Sequence, residues 1–143
     1  MRIASLVALT VVLLGPLQVC TDLTATLAYD SSDVAGAQIT ISYPSSVSIP
    51  GAFEQPTVFA RVENLTGLDG GLLGVRDDDT LLSIGLVSIG QPIPAGPFAR
   101  VTFDCTGGSQ PSAGDFSCTV VELSDSQGVV LPAGQCSLSL QLR

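Results

Sequence analysis

The sequence predicts an all-β domain: a two-sheet antiparallel β-sandwich of about seven to nine strands with jelly-roll topology. Three observations predict it. After residue 20 no segment holds a helical period of apolar residues. The chain runs instead as short alternating or β-branched stretches. Clusters of Gly, Pro, Ser and Asp separate those stretches, as turns require. With 143 residues there is room for one domain, whose core would hide about two-thirds of the unfolded surface.

Each element follows from its own pattern. LTATLAYD (23–30) alternates and stops at Asp30-Ser31-Ser32-Asp33. AGAQITISY (35–43) sets Ala37, Ile39, Ile41 and Tyr43 on one face and Gln38, Thr40 and Ser42 on the other. TVFARVEN (57–64) reads as a strand with Val58, Ala60 and Val62 together. LLSIGLVSI (81–89) is apolar nearly throughout, which predicts a central strand covered on both sides. ARVTFDC (99–105) groups Val101, Phe103 and Cys105, CTVVELSD (118–125) follows, and CSLSLQLR (136–143) alternates Leu138, Leu140 and Leu142 against Ser and Gln.

The N-terminus reads as a leader. Met1-Arg2 precedes an apolar run from Ile3 to Leu14, closed by Gly15-Pro16. That run is shorter than the about 20 residues needed to span a bilayer. Residues 1–20 are therefore expected to be a signal peptide and 21–143 the domain, secreted or at the cell surface or outer envelope. Leu17-Gln18-Val19-Cys20 also resembles a bacterial lipoprotein box, with Val19 departing from its usual small residue. Lipidation of Cys20 is the alternative, and it would be the route to a membrane. The charge balance is five Arg, no Lys or His and thirteen acids, net −8. It supplies no basic footprint for nucleic acid.

Cys20, Cys105, Cys118 and Cys136 form an even set behind the leader, which favours disulfides. Without His or a C-x-x-C, zinc is a poor fit. Cys105 ends one β-run and Cys118 begins the next, with TGGSQPSAGDFS between them. If those runs are antiparallel neighbours, Cys105–Cys118 is the expected bond, closing a loop worth roughly 3 kcal/mol. Cys20–Cys136 then follows by elimination, unless Cys20 carries lipid and leaves Cys136 free.

No catalytic constellation is legible. Without His there is no imidazole base and no Ser-His-Asp or Cys-His arrangement. Glu63, Asp77, Asp78 and Asp79 could pair as glycosidase carboxylates, but that chemistry calls for aromatic sugar platforms, and Trp is absent. The expectation is a protein that is not an enzyme and needs no cofactor. GVRDDDT (74–80) raises Asp77, Asp78 and Asp79 as a Ca²⁺ candidate. Its plainer reading is a solvated turn. Asn64-Leu65-Thr66 matches the N-glycosylation triplet.

In order along the chain, several pieces resemble the cohesin family, sandwich modules that receive dockerins in cellulose-degrading assemblies. VAGAQITISYPSSVSIPG (34–51) is similar to that family's "giagfqftlsYdpsvl" strand and its Pro/Gly turn. LLSIGLVSIGQPIPAGPFARVTFDC resembles the segment ending "g-x-lakitFkv". VVELSDSQGVVLPAGQCSLSLQL resembles the closing "elsd-x-nG … gsitv". Together they cover most of residues 34–142. Three features depart from the pattern: an opening strand is missing, Pro44 directly follows Tyr43, and cysteines are present.

The resemblance implies a cohesin-like sandwich and a non-catalytic, dockerin-type protein-protein interaction, linked to polysaccharide degradation. The partner would meet Gln38, Thr40 and Ser42 on the outward face, with Ser45 and Ser46 in the loop beyond. Ser124, Asp125 and Gly128 match the late-turn motif. Two alternatives stand beside it. A carbohydrate-binding module would need Phe53, Phe59 and Phe116 exposed in a line. A structural envelope sandwich would need no ligand.

Overall fold

The computed structural model describes residues 19–69, 71–106 and 110–142. Residues 1–18 of the expected 1–20 signal peptide lie outside them, and Val19 and Cys20 begin the first strand. The strands are β1 Val19–Ala28, β2 Gly36–Ser42, β3 Val47–Ser48, β4 Val62–Asn64, β5 Leu72–Asp77, β6 Leu81–Val87, β7 Gly96–Cys105, β8 Ser117–Ser124, β9 Val130–Leu131 and β10 Gln135–Leu142. One helical turn, α1, spans Pro56–Phe59. All strand pairing is antiparallel. The first sheet runs β10-β1-β7-β3 with β4 also on β7, and the second runs β5-β6-β2-β8-β9.

The expected all-β, two-sheet architecture is therefore present. Ten described strands exceed the expected seven to nine because β3 and β9 are two-residue pairings, too short to show a period in sequence.

The inner faces meet over Leu23, Ile39, Ile41, Leu82, Ile84, Leu86, Phe98, Val101, Phe103 and Leu123, all essentially inaccessible to solvent. Tyr43, Phe103 and Phe116 form a tilted aromatic row through this core, with ring centroids 5.1 and 5.6 Å apart. Such contacts add to simple area burial. β2 and β6 supply inward residues by strict alternation: Ala37, Ile39 and Ile41 from one, Leu82, Ile84 and Leu86 from the other.

Three expectations are corrected. Residues 57–64 do not form one strand. Pro56, with its preset φ and no N–H to lose, opens a helical turn. That turn buries Val58 and leaves Ala60 exposed, and β4 starts only at Val62. β6 is not covered on both sides: Leu81 and Val87 are 43% and 51% exposed, and Ile89 just beyond is 78% exposed. The third correction concerns the charged run 74–80. Gly74 to Asp77 belong to β5, and the turn is confined to Asp78, Asp79 and Thr80, the last two at positive φ.

The disulfide pairing is also corrected: the bonds are Cys20–Cys105 and Cys118–Cys136, not Cys105–Cys118 and Cys20–Cys136. β7 and β8 are consecutive in sequence but lie in different sheets, so the antiparallel pairing that would have joined Cys105 to Cys118 does not form. β1 and β10 do pair, but antiparallel, which places Cys136 opposite Leu27 at the far end from Cys20. Cys20 instead sits at a bulge where β1 meets the end of β7. Cys118–Cys136 joins the two sheets. Two disulfides suit an oxidising compartment. Among the described residues no helix is long and apolar enough to cross a membrane.

Candidate functional site

The outer face of the second sheet is built from transverse rows set by strand register. Val87, Gly36 and Ser124 are aligned across β6, β2 and β8. Next come Gly74, Gly85, Gln38 and Glu122, and then Arg76, Ser83, Thr40 and Thr119. Leu81, Ser42 and Ser117 close the face.

The second row is hollow. Gly74 and Gly85 are direct cross-strand partners, so two adjacent positions lack side chains. A trench results, seen as two overlapping cavities of about 430 and 490 Å³. Both are lined by Gln38, Leu73, Gly74 and Gly85. The first adds Gly36, Val87, Glu122 and Ser124, and the second adds Glu54, Phe59, Arg76 and Ser83.

Neither trench glycine is demanded by the backbone. Neither has positive φ, and a Cβ at either would meet nothing within 4 Å. The β5–β6 ladder has no bulge. Glycine in a strand costs roughly 0.5–1 kcal/mol relative to alanine. Strand glycines often mark a bulge, a tight bend, or a site where a ligand or another backbone approaches closely, and this ladder has no bulge.

At the β8 end a bulge changes the side-chain alternation. Gln38 pairs with Glu122 and Ile39 with Val120, leaving Val121 as the extra residue. Val120 and Leu123 are therefore buried, while Val121 and Glu122 both point outward. The Glu122 carboxylate has no hydrogen bond or ion pair to any described residue. At the β5 end Arg76 is engaged, 2.9 Å from Asp78 and 3.7 Å from Glu54, with its guanidinium over the Phe53 ring. Its hydrogen bond holds the Asp78 carboxyl below the usual carboxylate range.

The sequence-predicted residues divide into three places. Gln38, Thr40 and Ser42 do share the outward face of β2. Ser124, Asp125 and Gly128 lie at one end of it, where they line a shallow hollow with Gly36, Val87 and Ile89. There the Asp125 carboxylate accepts the backbone N–H of Gln127 and Val129 at 2.9 and 2.8 Å, so it shapes its own hairpin. Gly128 supplies that hairpin's left-handed residue, at φ 80°. Ser45 and Ser46 sit beyond the other end of β2, at a corner tied to the first sheet. Their carbonyls accept the Thr106 hydroxyl and N–H at 2.8 and 2.9 Å.

Sequence reasoning missed Gly74, Gly85, Glu122, Val87 and Val121. The available signal was two glycines inside apolar strands that have no turn to make.

Asp77, Asp78 and Asp79 do not converge. Asp77 is buried and accepts the Tyr43 hydroxyl at 2.6 Å, Asp78 turns outward to Arg76, and Asp79 lies in the turn. Among the described residues no group of three His, Cys, Asp or Glu side chains is placed to hold a metal ion. Glu63 lies on the first sheet, paired with Arg100 at 2.8 Å. Of the three phenylalanines in the carbohydrate alternative, Phe53 and Phe59 are about half exposed but Phe116 is 7% exposed and packed on Phe103. The required exposed line is not formed. Asn64 Oδ1 accepts the N–H and hydroxyl of Thr66 at 2.9 and 2.7 Å, so the glycosylation triplet is also a closed local turn.

Fold and site together define a disulfide-linked, all-β sandwich with an open, grooved sheet face. No protein-family model, curated protein or solved structure matches the chain.

Proposed function

We propose that this chain is a non-catalytic extracellular binding module, cohesin-like in its jelly-roll topology, that receives a protein partner on the outer face of the β5-β6-β2-β8-β9 sheet. The observation that carries this reading is the composition of that face. Exposed Leu81, Val87 and Val121 lie among uncharged Gln38, Thr40, Ser42, Ser83 and Thr119. Apolar side chains stand toward the ends of the face and uncharged polar ones between them, with the charged Arg76 and Glu122 at its sides, and a centre depleted of charge is a mark of protein interfaces. A rigid sheet also presents them at little ordering cost. The resemblance to cohesins points to the same strand, and through it to dockerin-type partners in polysaccharide-degrading assemblies.

The test is capture from the source organism's secretome on immobilised domain, beside a polysaccharide panel and a Thr40→Arg variant. The reading expects a discrete protein retained by the native face, lost with Thr40→Arg, and no glycan retention. Glycan retention without a protein partner overturns it, and so does capture that ignores Thr40→Arg. The buried Phe116 removes the ring line on which the carbohydrate alternative depends.

A further inference from the structure

We infer that the trench across β5, β6 and β2 is a socket for a basic side chain, Lys or Arg, projecting from the partner. This deepens the function proposed above and rests on it. The shape comes first. Paired Gly74 and Gly85 leave a floor of backbone without side chains, although neither backbone conformation nor crowding calls for glycine. Strand glycines are one of the marks of a site where a ligand or another backbone approaches closely.

Charge then selects the occupant. The three described arginines are all committed: Arg61 to Asp104, Arg76 to Asp78 and Glu54, and Arg100 to Glu63. The Glu122 carboxylate lines the trench without a described partner, and the side-chain amide of its cross-strand neighbour Gln38 likewise makes no hydrogen bond to a described residue. One end of the trench thus offers an open carboxylate and an open amide. The opposite end holds a cation already neutralised by two acids.

A guanidinium or ammonium group entering at the β8 end would meet Glu122 and Gln38, a charge-assisted arrangement stronger than neutral hydrogen bonding. Its aliphatic stem would lie over Gly85 and against Val87, as long basic side chains do on apolar ground. An acidic or purely apolar knob would leave the Glu122 carboxylate repelled or desolvated without compensation. The net charge of −8 favours the same sign of partner at longer range.

The probes are four capped tripeptides, Gly-Arg-Gly, Gly-Lys-Gly, Gly-norleucine-Gly and Gly-Glu-Gly, titrated into labelled domain and followed by amide chemical shifts. The Arg and Lys peptides are expected to move the amides of Gly74, Gly85, Gln38 and Glu122, and the other two to move none of them. Glu122→Gln, which keeps shape and removes charge, should weaken Arg-peptide binding about tenfold, of the order of one charge-assisted contact. Gly85→Val, checked by circular dichroism to be folded, should abolish it. Shifts of equal size around exposed Asp30, Asp69 and Asp79, or titrations unchanged by Glu122→Gln, would overturn the inference. So would the absence of shifts with every peptide. Partner capture sensitive to Thr40→Arg would survive such a failure, so the socket and the face stand or fall separately.

Discussion

The hydroxyl of Tyr43 donates a 2.6 Å hydrogen bond to Oδ1 of Asp77, linking the end of β2 to the end of β5 across the intervening β6. Burial, followed by the Asp79 and Asp78 charges, raises the Asp77 carboxyl above its ordinary value, against the opposing pull of the Tyr43 hydrogen bond. Burial and the Asp77 carboxylate in turn push the Tyr43 phenol up.

This pair predicts an acid-side signature. A carboxyl raised in the folded state binds its proton more readily there than in the unfolded chain. Its stabilising contribution is complete below the ordinary carboxylate range of about pH 4 and is lost as pH rises through the raised folded value. Asp77→Asn keeps an acceptor for Tyr43 and removes the titration. Denaturant unfolding across pH 3 to 7 should show that component of the slope disappearing. A slope identical to the native protein's would contradict the assignment.

The sheet-bridging disulfide predicts a stability loss set by its loop. Cys118 and Cys136 are 18 residues apart, so replacing both by Ala should cost about 3 kcal/mol in chemical unfolding, by loop-closure entropy. Peptide mapping without reduction should recover Cys20 joined to Cys105. A lipid on Cys20 would occupy the same sulfur, and the mass of the mature N-terminal peptide decides between them.

Arg61 and Asp104 form a two-pronged pair at 2.8 and 3.2 Å, with the carboxylate side chain only 6% exposed. Arg61→Ala leaves that carboxylate buried without its partner and should cost about 1–3 kcal/mol. Arg100→Ala is the contrast, since its Glu63 partner is mostly exposed and surface pairs contribute about 0–1 kcal/mol. Equal losses for the two variants would contradict the role given to burial.

Calcium is expected to find no site at Asp77, Asp78 and Asp79, because one carboxylate is turned into the core and another is held by Arg76. Titration calorimetry should record no binding heat. A heat abolished by Asp79→Asn would show that the three can be gathered.

Much of the fold was legible because its signals are local. β2, β8 and β10 begin and end within about a residue of where alternation and turn residues place them. What escaped depends on which element lies beside which. An apolar run such as LLSIGLV does not reveal whether a second layer covers Leu81 and Val87. Cys105 and Cys118 look like neighbours until β7 and β8 are assigned to different sheets. Pro56 starts a helical turn inside a stretch whose β-branched residues read as strand. Gly74 and Gly85 are visible in sequence, but their facing each other is a fact of register. The bulge at Val121 breaks the alternation from which Glu122's direction would be read.

The central claim, that the grooved sheet face exists to receive a partner, is tested most directly with Gly85→Val. A Cβ there meets nothing within 4 Å, and a β-branched residue suits a strand. The measurement is partner capture and thermal unfolding on the same preparation. The account predicts a melting temperature equal to or above that of the native domain, with capture lost. Capture retained at native strength by a folded Gly85→Val domain would contradict it.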